Sequence, residues 1–239
     1  MNESGSQNCN IPLPQCALCP VLPSESYCRS EKGKSPASCP SLHHKKMAQA
    51  LFADTPPDET EFMRQSAIQE CAGYAHRDRG YALTAPAKPR IVEIVEFAKR
   101  MGYEKLGLIF CGGTMKEAAI VHEILETNGF TVVSVMCKAG KISKADYGVT
   151  QTQQVDIARN HETICNPKFQ ATLVNKAGVD FTVLLGLCVG HDSMAFKYVA
   201  SPVTVLAVKD RLTGHSPLMP IYLYDSYYRY LKQPLPLDD

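Results

Sequence analysis

Apolar and polar positions along this chain fall into two regimes. Up to about Leu42 large apolar residues are sparse and Pro, Ser, Gly and Cys dominate. Such a stretch cannot bury enough surface to offset its own ordering entropy, so something must staple it. From about His43 helical spacing begins. Residues 43–53 read as one short helix, and after the Thr55-Pro56-Pro57-Asp58 break residues 60–76 read as another, with Phe62, Met63, Ala67, Ile68, Cys71, Ala72 and Ala75 recurring at helical intervals.

Beyond the turn at Thr84-Ala85-Pro86 the pattern alternates. It predicts helices over 90–101, 115–127, 167–177 and 193–199, strands over 105–111, 131–137, 181–188 and 203–208, an irregular stretch over 138–162, and a last helix within 217–231. The runs Leu106-Gly107-Leu108-Ile109-Phe110 and Thr182-Val183-Leu184-Leu185-Gly186-Leu187 are almost continuously apolar, as strands covered on both faces require. Strands alternating with helices imply right-handed crossovers and a parallel sheet. The expected fold is α/β, a Rossmann-like three-layer sandwich with a mostly parallel sheet of four or five strands. The expected organisation is a Cys-rich metal-binding segment at 1–42, a helical connector at 43–85 and the α/β domain at 86–239.

Composition narrows the function classes. With 25 basic and 24 acidic residues the formal charge is +1, so there is no basic field to draw nucleic acid or anionic lipid. No apolar run is long enough for a membrane span and the first ten residues do not resemble a signal peptide, so a cytoplasmic location is expected. Tyr222, Tyr224, Tyr227, Tyr228 and Tyr230 are expected to pack the last helix on the body.

Cysteine is where the chain departs from average. There are ten, five of them (Cys9, Cys16, Cys19, Cys28 and Cys39) in the first 39 residues. In a chain without export signals this density favours metal ligation or thiol chemistry over structural disulfides. Cys16-Ala17-Leu18-Cys19 is a CxxC knuckle, and Cys28 and Cys39 can complete four tetrahedral sulfurs for zinc or an iron-sulfur cluster. Free thiols on a tail, or a disulfide-bonded arm, are the alternatives, and Cys9 is spare or replaces one of the four.

A second set lies further on. Cys111, Cys137 and Cys188 each close an expected strand, and the carboxyl ends of the strands form the ligand-binding edge of an open α/β sheet. Cys165 precedes Asn166-Pro167, at the start of a helix, where unpaired N–H groups and the helix dipole favour thiolate. Any one of these can be a small buried apolar residue; three strand ends and a helix start together point to a shared site, with a 4Fe-4S cluster or another metal as its occupant.

Polar groups stand around that set: Gly112-Gly113-Thr114, Lys138, Gly190-His191-Asp192, Lys209-Asp210-Arg211 and Gly214-His215-Ser216-Pro217. Thr114 is placed to cap the following helix, whereas Asp192 reads as an N-cap and His215 as a turn residue if they carry no chemistry. No GxGxxG or GxxxxGK occurs, so no nucleotide cofactor is expected.

The elements GLCVGHD (Gly186 to Asp192), VKDR (Val208 to Arg211), GHSP (Gly214 to Pro217) and CNP (Cys165 to Pro167), with the CxxC start, Cys39-Pro40, Cys111 and Cys137-Lys138, resemble a prokaryotic family known as domain of unknown function 1847. The resemblance extends over nearly the whole chain. It implies metal binding and a link to anaerobic metabolism, and it implies no particular reaction. One departure is visible: where the family often has Cys-Lys-Cys-Gly, this chain has Cys137-Lys138-Ala139-Gly140, so a ligand at that second cysteine is missing here.

The resulting expectation is a metalloprotein with Cys16, Cys19, Cys28 and Cys39 at one site and Cys111, Cys137, Cys165 and Cys188 at another. His191 and His215 would be acid/base or hydrogen-bond partners, Lys138 and Arg211 anchors for a small anionic substrate, and redox or sulfur transfer the chemistry. The alternatives are a non-catalytic metal carrier or small-ligand sensor, and a cofactor-free enzyme with Cys188 as nucleophile and His191 or His215 as base.

Overall fold

The computed structural model describes residues 13–236; Cys9 lies outside the described residues. The chain divides into two compact units after Met63.

In the first unit, single 3-10 turns form at Cys16–Leu18 and Pro23–Glu25, and two short helices follow, α1 (Pro40–His43) and α2 (Lys45–Ala53). The single helix expected over 43–53 is therefore split, because His44 leaves helical geometry at φ −115°, ψ 15°. Ser26 pairs with Lys34, and its hydroxyl donates to the Pro23 carbonyl at 2.9 Å. Gly33 makes this possible, since a Cβ there would lie 2.4 Å from the Ser26 carbonyl group. No apolar side chain among residues 13–63 is buried, so this unit has the missing core that its composition foretells.

Helix α3 (Pro57–Ala72) runs across the division and starts earlier than expected, because Pro57 is tolerated in a first turn. In the second unit β1 (Tyr74–Ala75) pairs antiparallel with β2 (Ala85–Pro86), a two-residue strand where a turn was expected. Then come α4 (Arg90–Arg100), β3 (Lys105–Phe110), α5 (Met115–Thr127), β4 (Thr131–Met136), α6 (Pro167–Lys176), β5 (Phe181–Leu187), α7 (His191–Tyr198) and β6 (Val203–Val208). The helix expected within 217–231 is reduced to α8 (Met219–Tyr222) and a 3-10 turn at Arg229–Lys232. Ile221, Tyr222 and Tyr227 stay exposed, so no apolar face is buried there to hold a longer helix.

Four parallel strands form the sheet in the order β4-β3-β5-β6. Right-handed crossovers then place α5 on one face and α6 and α7 on the other, which makes the three-layer sandwich. Strand β5 is buried along its whole length, and Leu106, Leu108, Ile109, Val183 and Leu184 are fully enclosed. At the opposite edge from the thiols, the rings of Tyr103 and Phe97 each lie 5.6 Å from that of Phe181. From β3 the chain moves outward to β4, then returns across to β5 and on to β6. The order therefore reverses between β3 and β5, the place where open α/β sheets bind their ligands, and Cys111 and Cys188 follow the carboxyl ends of these two strands.

Candidate functional site at the sheet edge

The backbone around the switch point is shaped by glycine. Gly186 has φ +66° inside β5, where the register with β6 shifts, and a Cβ there would lie 2.7 Å from the Thr114 methyl. This irregularity re-aims the end of β5 toward the loop after β3. Thr114 takes the N-cap position of α5 as expected, but its side chain makes no capping bond; it is buried and its hydroxyl donates to the Cys111 carbonyl at 2.8 Å. That bond closes the Gly112-Gly113 turn over the thiols.

The Cys137 sulfur accepts from the Gly112 N–H at 3.4 Å and lies 3.5 Å from the Cys165 sulfur. Cys111 also hydrogen-bonds to Cys137, and its sulfur accepts from the Gly113 N–H. Three thiols from three segments thus form a chain. Its polarity is set by position: the hydrogen bond from Cys137 lowers the Cys165 pKa to about 7, against the opposing effect of burial. Cys111 is held well above the ordinary range, first by its hydrogen bond to Cys137 and then by burial. Cys137, between them, is raised overall. Cys165 is the most acidic thiol of the three, and Asn166 fixes it at the start of α6 by accepting from the Phe169 N–H at 2.9 Å.

Cys188 lies within electrostatic reach of Cys165, but its hydrogen-bond partner is Arg211, whose guanidinium stands 3.1 Å from the sulfur. Among the described residues neither the His191 nor the His215 imidazole hydrogen-bonds to the Cys188 sulfur, although the His191 backbone N–H donates to the Cys188 carbonyl at 3.0 Å. His191 begins α7, and burial lowers its pKa. Asp192 is not the N-cap; Gly190 takes that place, and the Asp192 carboxylate accepts from the Ser193 N–H. His215, at φ +68°, accepts the Asp210 N–H on Nδ1 at 3.1 Å and returns its own N–H to the Asp210 carbonyl. Asp210 in turn accepts from Leu212 and Thr213. His215 and Asp210 therefore lock the turn that presents Lys209 and Arg211.

Lys138 forms an ion pair with Glu162 at 3.4 Å, a carboxylate it shares with Lys144 at 2.9 Å. The Lys144 hydrogen bond brings Glu162 down to about 2. Sequence reasoning missed this pair, and it missed Gln170. Gln170 is fully buried in α6, and its amide donates to the carbonyls of Phe110 at 3.1 Å and Val135 at 2.7 Å. One side chain thus ties the helix after Cys165 to the strands before Cys111 and Cys137. The available signal was a polar residue on the helical stripe Pro167, Ala171, Val174.

In the first unit Cys16, Cys19 and Cys28 are exposed and Cys39 is half-buried. Among the described residues no three His, Cys, Asp or Glu side chains are grouped so as to hold a metal ion. All nine described cysteines are free thiols. No described helix is long and apolar enough to cross a membrane.

Comparison with known proteins finds a match to the family model described as "Protein of unknown function (DUF1847)" over residues 39–206. The match starts at the last N-terminal cysteine and contains all four thiols of the sheet edge. The chain is also similar to an uncharacterized protein of Methanocaldococcus jannaschii, 39% identical over 135 residues, which span 56% of this chain and 67% of that protein.

Proposed function

The chain belongs to the DUF1847 family of proteins of unknown function, and from its sheet-edge thiols we propose a metalloprotein whose main site is a thiolate centre made by Cys111, Cys137, Cys165 and Cys188. The observation that carries this reading is the 3.5 Å separation of the Cys137 and Cys165 sulfurs. Two thiolates about 2.3 Å from one tetrahedral ion lie about 3.8 Å apart, so a small adjustment brings this pair onto a shared ion. Backbone N–H groups of Gly112 and Gly113 already donate to two of the sulfurs, and such bonds stabilise thiolate ligands and tune an iron-sulfur cluster.

Zinc or an iron-sulfur cluster suits this donor set, and redox or sulfur transfer is the chemistry that follows. The first unit, with no buried apolar side chain of its own, is suited to a second, structural ion on Cys16, Cys19, Cys28 and Cys39, whose binding energy would become folding energy. The nine described cysteines, all free thiols, suit a reducing compartment such as the cytoplasm.

A second reading is favoured by one observation, the lowered pKa of Cys165 beside Cys137. In a cofactor-free thiol enzyme the nucleophile is then Cys165, with Cys137 as resolving thiol, in place of Cys188. Anaerobic purification with metal and acid-labile sulfide assays separates the readings. Iron with matching sulfide, lost in Cys165→Ser and Cys137→Ser but kept in Cys16→Ser, supports the centre. Zinc lost only in Cys16→Ser, with the edge thiols open to alkylation, leaves the thiol-enzyme reading. Metal that passes stoichiometrically to an acceptor without redox change favours a carrier.

A further inference from the structure

Two cations just beyond β6 have no carboxylate partner among the described residues. Lys138 and Lys144 share the Glu162 carboxylate, whereas Lys209 and Arg211 have no ion-pair partner among the described residues. The carboxylate between them, Asp210, is turned into its own loop by the N–H groups of Leu212 and Thr213. Asp192 is likewise engaged by the Ser193 N–H.

Their placement is specific. A Cβ on Gly113 would lie 3.3 Å from the Lys209 ammonium and 3.9 Å from the Cys111 sulfur, so ammonium, bare backbone and sulfur converge on one spot. Arg211 stands at 3.1 Å over the Cys188 sulfur. The two cations after β6 therefore lie beside the thiols that follow β3 and β5. An anion that approaches the sulfurs meets these two cations first, and their charge offsets its repulsion by the thiols.

We propose that Lys209 and Arg211 form an anion-binding lip over the thiol centre and that its ligand is a small sulfur anion, with an oxyanion end for the two cations and a soft sulfur end for the thiols. The sulfur preference rests on the thiolate-centre reading; the anion lip does not. Lys138, expected from sequence as an anchor, has an ion pair to Glu162 that Lys209 lacks, so Lys209 is assigned as the second cation of the lip. Arg211 keeps the expected role.

The test is calorimetric titration of the full-length, anaerobically purified protein with thiosulfate and, separately, with sulfate. Metal content and melting temperature are measured on the same samples. The expected result is thiosulfate binding that weakens with added salt, at least tenfold tighter than sulfate, and at least tenfold weaker in a Lys209→Gln/Arg211→Gln double variant with unchanged metal content and melting. Equal binding by that variant, or no binding by the wild type, overturns the lip. Equal affinity for sulfate overturns the sulfur assignment. Thiosulfate binding by wild-type protein that carries no metal at the edge keeps the lip and removes the metal centre, so the two failures are distinguishable.

Discussion

Cys137 and Cys165 are 28 residues apart in sequence and 3.5 Å apart at sulfur. Their contact is made where β4 ends and α6 begins, and the Asn166 N–H donates to the Cys137 carbonyl at 2.7 Å to hold the two segments together. Thiol reactivity is the first consequence.

In metal-free protein Cys165 should alkylate first, with a rate that rises through a midpoint near pH 7. The sign follows from the lowered pKa: the reactive form is the thiolate, which gains as pH rises. About half is ionised at pH 7, against roughly 1% for a thiol with a pKa near 9. Cys137→Ala removes the hydrogen bond to that thiolate and should move the midpoint above 7. Iodoacetamide rates read by peptide mass spectrometry check both; an unchanged midpoint in Cys137→Ala would contradict the assignment.

Gln170→Leu keeps side-chain volume but leaves the Phe110 and Val135 carbonyls without the amide donor. Because the Gln170 Oε1 atom is itself buried with no partner among the described residues, its removal offsets part of the loss. Stability should fall by about 1–3 kcal/mol in urea unfolding. Metal loading at the edge should fall further than in a variant equally destabilised in α4, since Gln170 aligns the segments that carry three of the thiols.

Gly186→Ala should destabilise by about 2–4 kcal/mol, because a left-handed φ is combined with a steric clash on Thr114. Gly129→Ala, at φ +93° with no atom within 4 Å of the added Cβ, provides the comparison and should cost about 1–2 kcal/mol from backbone strain alone. Thermal melts of the two variants test the difference.

Glu162 organises the irregular segment between β4 and α6 through Lys138, Lys144 and the Val155 N–H. Its pKa is lowered, so its contribution to stability is present above the ordinary value of 4.5 and is lost as pH falls toward 2. Hydrogen exchange at the Lys144 and Ile164 amides, which bond to the Glu162 and Ile142 carbonyls, should quicken over that window. In Glu162→Gln it should be fast already at pH 6.

The alternation of apolar runs and helical spacing determined the architecture, because strands buried on both faces and helices with one buried stripe leave local periodic signals. The four strands fall within a residue or so of their expected bounds. Glycines and cysteines likewise marked the carboxyl ends of the strands. Local pattern could not determine what depends on which strands become neighbours. The β4-β3-β5-β6 order, set by crossover direction, decided that Cys111 and Cys188 flank the reversal. The fold of residues 138–166 back on itself brought Cys165 to Cys137, and the lock of His215 on Asp210 made a turn scaffold of a residue expected to carry protons. Charge balance was also decided in three dimensions: Lys138 and Lys144 share Glu162, whereas Lys209 and Arg211 have no carboxylate partner among the described residues, because ion pairs form by distance in the folded chain and not by order along it.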